Sequence, residues 1–177
     1  MKICIFCSAN DNIDSDFFKL TEQLGRWIAE NGHTLVFGGC DLGLMECVAQ
    51  SVKQHGGNTI GVIPKKVEER GRVSSFVDQR IDCNDLNQRK QIMMEESDMF
   101  IALPGGIGTL DEIFTVAASA TIGYHDKRVI LYDMKGFWTS LLAMLNDLGS
   151  RNLLRGNYQK YIIPAKDLDE IQKLLSI

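Results

Sequence analysis

Strand-like and helix-like segments alternate along almost the whole chain, and this alternation limits the possible folds more than any other feature. Short apolar runs predict strands at 2–7, 33–37, 59–63, 79–82, 99–103, 128–132 and 161–163. Longer stretches predict helices at 14–31, 43–55, 85–97, 109–123, 137–148 and 168–175, and the polar, aperiodic stretch 65–76 is predicted to be a mobile loop. We therefore predict an α/β fold, a Rossmann-like, doubly wound, mainly parallel sheet with helices on both faces, in a single domain over residues 1–177.

The composition is that of an ordinary globular protein and excludes several classes of partner. Hydrophobic residues make up 45% of the chain, and the formal net charge is −4 at pH 7. General nucleic-acid binders normally present a basic face, so we expect no nucleic-acid partner. The sequence has no signal-peptide pattern and no apolar stretch of the roughly 18 residues that a transmembrane helix needs. We expect a cytoplasmic protein without a membrane partner.

The cysteines and histidines form no recognisable redox or metal motif. Cys4 and Cys7 are spaced as C-x-x-C, but they lie inside an apolar run that is predicted to be a strand. Redox pairs of this spacing sit at a helix start, and a zinc site would need a second pair of ligands. We predict that both cysteines are buried as small hydrophobic residues. The histidines are scattered, so no metal site is expected from His33, His55 and His125.

Unusual turns follow three of the predicted strands. The sequence reads Cys-Ser-Ala-Asn at 7–10, Gly-Gly-Cys-Asp-Leu-Gly at 38–43 and Pro-Gly-Gly-Ile-Gly-Thr at 104–109. In open parallel sheets, ligands bind beyond the carboxyl ends of the strands, near the point where the strand order reverses. The three turns therefore predict a binding site at this edge of the sheet.

The turn at 104–109 has the properties of a phosphate site. Three glycines in four positions permit φ > 0 and a close approach of the backbone to a ligand. A helix beginning near Thr109 would present free N–H groups and its positive dipole end to an anion. Thr109 and Glu112 also fit a capping box, in which Glu112 reaches back to the N–H of Thr109. The cap does not explain the glycines, and the two interpretations are compatible.

Two further elements leave alternatives open. The turn at 38–43 matches neither the P-loop pattern G-x-x-x-x-G-K-[ST] nor the dinucleotide pattern G-x-G-x-x-G, so neither ATP hydrolysis nor a standard dinucleotide site is supported. Arg89 and Lys90 stand among apolar positions of the predicted helix at 85–97. Either one head group turns inward toward an anion, or both side chains cover apolar surface and keep their charges in water.

Taken together, these segments resemble the Lonely Guy (LOG) family, cytokinin riboside 5′-monophosphate phosphoribohydrolases whose bacterial members were often labelled lysine decarboxylase. The resemblance extends from residue 2 to about residue 145, and its motifs are P-G-G-x-G-T-x-x-E at 104–112, Arg89-Lys90, and G-G-x-x-x-G-L-M at 38–45. It implies hydrolysis of the N-glycosidic bond of a small-molecule nucleoside 5′-monophosphate, by a homodimer that needs no cofactor or metal. Arg89 and Glu112 would be the catalytic pair. The implied substrate-binding residues are Ser8, Gly38, Gly39, Met45, Lys90, Gly105, Gly106, Ile107, Gly108 and Thr109.

Several positions depart from the plant-type pattern of this family. Ser8 replaces a glycine, and Ser-Ala-Thr at 119–121 stands where plant members carry Trp-Ala-Gln. Other replacements are Cys40, Glu46, Leu86 and Asn87. The phosphate and catalytic elements are retained, so nucleotide hydrolysis is better supported than a cytokinin role. The alternative is a non-catalytic protein that binds a nucleotide or a phosphorylated cofactor, such as a molybdenum-cofactor carrier, which would not need both Arg89 and Glu112.

Overall fold

Seven parallel strands form the centre of the protein, in the order β4-β3-β2-β1-β5-β6-β7. The computed structural model describes residues 1–175. Its strands are Lys2–Phe6 (β1), Thr34–Phe37 (β2), Asn58–Pro64 (β3), Gln79–Cys83 (β4), Met99–Ala102 (β5), Val129–Tyr132 (β6) and Ile162–Ala165 (β7). Its α-helices are Ser15–Glu30 (α1), Gly43–Gln54 (α2), Lys65–Glu69 (α3), Leu86–Glu96 (α4), Ile107–Thr121 (α5), Thr139–Ser150 (α6) and Leu168–Leu175 (α7). None of these described helices is long and apolar enough to cross a membrane.

The strand order reverses beside β1. From β1 the chain moves outward through β2, β3 and β4, and it then returns to pair β5 with the other side of β1. Every strand pair is parallel. The Rossmann-like, doubly wound α/β fold that the sequence predicts is therefore confirmed, with a wholly parallel sheet.

Side chains of the central strands alternate between two apolar layers. Ile3 and Ile5 of β1 belong to the layer that contains the buried faces of α1, α2 and α7. Cys4 and Phe6 belong to the layer of α4, α5 and α6. Because successive side chains of a strand point to opposite faces, a strand covered on both sides must be apolar throughout. Cys4 and Cys7 are buried free thiols, which confirms the prediction that they serve as small core residues.

Several elements differ from the sequence prediction: α6 and β7, for example, lie one or two residues later than expected. The expected mobile loop at 65–76 begins with α3, a helix with no buried residue and hence no apolar stripe to detect. In the second half of this stretch, Val73 forms an isolated bridge with Cys40. The helix α5 begins at Ile107 rather than near Thr109, because Gly106 occupies the N-cap position.

Candidate active site

The turns after β1 and β5 meet at the carboxyl edge of the sheet, where the strand order reverses. The Ser8 N–H donates to the Pro104 carbonyl oxygen at 3.0 Å, which joins the two turns directly. The Leu44 N–H donates to the Ser8 carbonyl oxygen at 2.9 Å, which adds the start of α2. The three turns identified in the sequence are thus neighbours, as the rule for open parallel sheets predicts.

Gly43 allows the turn before α2 to approach the turn after β1. Its φ is +56°, and a Cβ at this position would lie 2.6–2.7 Å from backbone atoms of Ser8, Ala9 and Asn10. Its N–H donates to the Asp11 carboxylate at 2.8 Å. Glycine meets both the conformational and the steric condition, whereas any side chain would push the two turns apart.

A cleft of about 440 Å³ opens between these turns and two helices, α4 and α5. This size falls within the range of ordinary small-molecule sites. Backbone and small side chains form most of its wall, and two of its residues are charged. The lining residues are Cys7, Ser8, Ala9, Asn10, Met45, Arg89, Gly106, Gly108, Thr109 and Glu112.

The N-terminus of α5 forms one wall of the cleft. Gly106 is the N-cap, and no side chain caps the first turn. The first N–H groups of a helix have no partner within the helix, so this end is suited to an anion such as phosphate. The capping-box interpretation is wrong, because Thr109 lies inside the first turn. Gly105 gives Thr109 its space, since a Cβ there would overlap the Thr109 hydroxyl.

Arg89 and Glu112 lie together in the cleft as a loosely bonded pair. The Arg89 Nη1 and Glu112 Oε1 atoms are 3.4 Å apart, and the two side chains are 12% and 8% exposed. Charge-assisted hydrogen bonds are ordinarily about 2.7–2.9 Å long, so these two groups are too far apart to form a full charge-assisted hydrogen bond. The Arg89 Nε is also buried without a hydrogen-bond partner. Both groups therefore retain bonding capacity for a ligand.

The surroundings of Glu112 favour its protonated form. Burial raises the pKa of its carboxyl group from 4.5 to about 7, against the opposing effect of the Arg89 charge. The neighbouring Asp111 raises the pKa of Glu112 further, and Lys90 lowers it. A carboxyl group with a pKa near neutrality can exchange a proton during a reaction at physiological pH.

Lys90 bonds to a second carboxylate beside this pair. Its Nζ donates to both carboxylate oxygens of Asp111, at 2.7 and 2.8 Å. Consecutive residues of α4 thus pair with consecutive residues of α5. Of the two alternatives for the Arg89-Lys90 pair, an inward-turned head group fits Arg89, while the Lys90 ammonium bridges the two helices outside the cleft wall.

The structure brings together seven of the residues predicted for the site and places the other five around them. The seven in the cleft wall are Ser8, Met45, Arg89, Gly106, Gly108, Thr109 and Glu112. Those outside the wall are Gly38, Gly39, Lys90, Gly105 and Ile107. Ile107 is 88% exposed, and Gly38 adjoins Arg89 instead of the cleft. The roles of these residues toward a substrate stay predictions.

Sequence reasoning missed three residues of the cleft wall: Cys7, Ala9 and Asn10. A signal was present, because all three belong to the turn after β1 that the sequence singles out. Their side-chain types gave no reason to select them, since an apolar thiol, a methyl group and an exposed amide are common in any turn. Proximity to Ser8 was the usable clue.

The segment 119–121 lies outside the cleft. The Ser119 hydroxyl donates to the Thr115 carbonyl oxygen, and Ala120 is buried against the chain's own core. Thr121 lines a separate apolar groove of about 330 Å³ near the end of α5. Within a single chain, the replacement of Trp-Ala-Gln by Ser-Ala-Thr therefore does not alter the wall of the cleft.

No three histidine, cysteine, aspartate or glutamate side chains within residues 1–175 come together as a potential metal site. The polar groups of the cleft are a guanidinium, one carboxyl group and the donors of a helix N-terminus. Such a set binds phosphate and sugar hydroxyls more readily than it binds a cation.

Comparisons with known proteins point to one family. A family model described as possible lysine decarboxylase matches residues 45–175. Cytokinin riboside 5′-monophosphate phosphoribohydrolase LOG4 of Arabidopsis thaliana is 36% identical over 98% of this chain and 81% of its own length. A cytokinin riboside 5′-monophosphate phosphoribohydrolase of Mycobacterium tuberculosis is 38% identical over 82% of this chain and 78% of its own length. The chain belongs to the Lonely Guy (LOG) family.

Solved structures place this LOG-family protein in a wider group with the same fold. A molybdenum cofactor binding protein from Rippkaea orientalis is 26% identical, with a TM-score of 0.72 over 99% of this chain and 94% of that chain. The molybdenum cofactor carrier protein of Chlamydomonas reinhardtii has a TM-score of 0.75 at 23% identity, over 99% of this chain and 98% of that chain. The second likeness concerns the fold alone. Family membership makes the LOG-family protein an enzyme, a hydrolase of N-glycosyl compounds.

Proposed function

We propose that this LOG-family protein acts as a single nucleotide-binding domain over residues 1–177 and hydrolyses the N-glycosidic bond of a nucleoside 5′-monophosphate. The observation that carries the proposal is the buried pair of Arg89 and Glu112 beside the N-terminus of α5, in one cleft. AMP and cytokinin riboside monophosphates are the candidate substrates. The products are the free base and ribose 5-phosphate.

The arrangement along α5 supports a specific orientation of the nucleotide. The N-terminal donors of α5 hold the 5′-phosphate. Thr109 and Glu112 are three residues apart and therefore lie on the same face of this helix. A ribose fixed through its phosphate then extends along that face toward the Glu112 carboxylate, so that phosphate binding positions the sugar for reaction.

The chemistry follows from these positions. Cleavage sends the electron pair of the C1′–N bond to the base, which takes up one proton in exchange for the one that the attacking water releases, and positive charge develops at C1′. The Glu112 carboxylate stabilises this charge and accepts a proton from the water whose oxygen bonds to C1′. Arg89 stays protonated, so it acts as a cation that pairs with phosphate or stabilises the departing base.

Base release from AMP tests the proposal and its specificity together. Incubation with AMP should yield adenine and ribose 5-phosphate in equal amounts, measured by chromatography, and Glu112→Gln protein should yield neither at a comparable rate. We expect kcat/KM for AMP to lie within about tenfold of that for isopentenyl-AMP. The reason is that the cleft wall is mainly backbone and small side chains, with Met45 as its one long apolar side chain, so it offers little surface to an isoprenoid tail.

Two results would count against this expectation. A preference above a hundredfold for the prenylated substrate, equivalent to about 2.7 kcal/mol, would contradict the lack of tail recognition. Absence of adenine would favour the second candidate function, non-catalytic binding of a nucleotide or phosphorylated cofactor. That candidate is supported by the likeness to the molybdenum cofactor binding protein. Under it, AMP should bind to the protein and be recovered intact.

The same family resemblance supports a homodimer, and the surface of α5 suggests where its interface lies. Phe114 and Ala118 are exposed on α5, and Leu153 beside them is 66% exposed. They line the apolar groove together with Leu145 and Tyr158. Val116 and Ala120 of the same helix are buried within the chain and so are not part of this surface. Because these exposed apolar side chains adjoin one another at the groove, we propose that a second copy of this chain covers them.

Light scattering at micromolar concentration should therefore give the mass of a dimer. Ala118→Arg should convert it to a monomer, because a charge would have to be buried at the interface without a partner. Gln23→Arg, at an exposed position of α1, is the matched control and should stay dimeric. A wild-type monomer, or an Ala118→Arg dimer, would contradict this interface.

We also propose a cytoplasmic location, which the five free cysteines support.

A further inference from the structure

Gly38 adjoins the Arg89 guanidinium rather than the cleft. It is the first residue after β2, and it is buried. A Cβ at this position would overlap the Arg89 Nη2 and lie 2.8 Å from its Cζ, with the Met45 Sδ at 3.2 Å. The space that a side chain of residue 38 would occupy is thus filled by the head group of Arg89.

The backbone of Gly38 does not itself require glycine. Its φ is outside the left-handed region, unlike that of Gly39, where φ is +70°. An alanine could therefore adopt the conformation of residue 38 without strain. The overlapping atoms belong to the flexible end of an arginine side chain, which can move. A methyl group would consequently displace the guanidinium while costing the fold little.

Packing against Gly38, rather than hydrogen bonding, determines where the guanidinium lies. The Arg89 Nε has no hydrogen-bond partner, and Nη1 approaches Glu112 at 3.4 Å, beyond the length of a closed charge-assisted bond. A head group held so weakly by polar contacts takes its position from the surfaces around it. The surface of Gly38 is in contact with two of its atoms, Nη2 and Cζ.

We infer that Gly38 is a positioning residue, which by lacking a side chain holds the Arg89 guanidinium at its catalytic distance from Glu112. The inference rests on the proposed hydrolysis and refines it, because it gives Gly38 a role through Arg89 in place of the direct substrate contact that the family resemblance implies. Glycine is then needed at position 38 to place Arg89 beside Glu112, and not to bind phosphate.

The test is Gly38→Ala, measured alone and in combination with Arg89→Ala. In the wild-type background, kcat/KM for AMP should fall about 10- to 100-fold, mainly through kcat, with little change in Tm. In the Arg89→Ala background the added methyl group should have little further effect, because the atoms that it overlaps are already gone and only the contact with the Met45 Sδ remains. Gly25→Ala is the matched control. Its Cβ would lie 2.7 Å from the Ser51 Cβ at the α1–α2 contact, so it should lower Tm and leave kcat unchanged.

Each outcome decides the inference. Wild-type kcat in Gly38→Ala, or equal losses in both backgrounds, would overturn it. If Gly38→Ala destabilises the protein, the loss of Tm that it causes is compared in the wild-type and Arg89→Ala backgrounds instead of kcat. An equal loss of Tm in both backgrounds would overturn the inference.

An NMR titration of Glu112 separates this inference from the proposed function, since it needs no turnover. Arg89 and Lys90 lower the pKa of Glu112, whereas burial and Asp111 raise it. Moving the Arg89 charge relative to Glu112 should therefore shift the Glu112 titration in Gly38→Ala, upward where the guanidinium moves away from the carboxyl group. An unchanged titration would overturn the positioning role even if the wild-type protein cleaved no nucleotide.

Discussion

Glu112→Gln is expected to lower kcat about 10²- to 10⁴-fold, while the affinity for AMP changes much less. Glutamine keeps the size of the side chain but removes the negative charge that would face C1′. The N-terminal donors of α5, which would hold the phosphate, are untouched because Gly106 and not Glu112 caps this helix. Steady-state kinetics and calorimetric binding of AMP measure the two effects separately. A wild-type kcat would remove Glu112 from the mechanism.

The same substitution should stabilise the protein at pH 8. The pKa of Glu112 is raised to about 7 in the folded protein, from an ordinary value of 4.5. The contribution of such a group to the free energy of unfolding is fully present below about pH 4.5. It is lost as the pH rises through 7, because the buried carboxyl must then ionise. At 1.36 kcal/mol per pKa unit, this shift corresponds to a loss of about 3 kcal/mol. Glutamine cannot ionise, so it avoids this loss and should raise Tm by several degrees.

Thermal unfolding at pH 4.5 and pH 8 checks this prediction. The variant and the wild type should have similar Tm values at the lower pH and diverge at the higher one. Glu30→Gln is the control, since Glu30 is an exposed residue paired with Arg26 on α1, and it should show no such divergence. A Tm of Glu112→Gln below that of the wild type at pH 8 would indicate a structural role for the carboxylate instead.

Arg89→Ala is expected to reduce kcat/KM about 10²- to 10³-fold, in the range seen when one electrostatic stabiliser is lost. Alanine removes the cation that would meet phosphate or the leaving base. It also removes the charge that lowers the pKa of Glu112, so less Glu112 is ionised at neutral pH. The remaining activity should therefore reach its maximum at a higher pH than in the wild type, as a kcat/KM profile between pH 6 and 9 would show.

Two further variants sharpen this result. Arg89→Lys should recover only part of the activity, because an ammonium lacks the flat, multi-donor geometry of the guanidinium. Arg26→Ala, which removes an exposed arginine and so matches the change in net charge, should behave like the wild type. A full recovery by lysine would mean that charge alone suffices at position 89.

Much of the fold could be read from the sequence because strand and helix periodicities are local signals. Apolar runs such as that of β1 and the glycine turn before α5 identify a buried strand and a strand-to-helix junction without knowledge of their neighbours. The location of the site followed from a general rule about parallel sheets, applied to three unusual turns.

What the sequence could not provide depends on contacts between distant segments. Periodicity placed Arg89 and Lys90 together on α4, but only the packing of α4 against α5 separates a cleft residue from one that pairs with Asp111. The capping box failed for a local reason, because Gly106, one turn earlier, occupies the N-cap position and leaves Thr109 inside the helix. The relation of Gly38 to Arg89 links β2 to α4, and no local pattern reports it.

The pairing of β1 with β5 also determines when a catalytic cleft can exist during folding. Ile3 pairs with Met99, which makes this the contact of greatest sequence separation among the strand pairs. Closing so long a loop is entropically more costly than closing the shorter helical crossovers between the other strand pairs, and such contacts tend to slow folding. A partly folded chain that contains β1 to β4 has neither Glu112 nor the start of α5. Under the proposed mechanism, hydrolysis of a nucleotide therefore becomes possible only once β1 has paired with β5 and the two halves of the chain have joined.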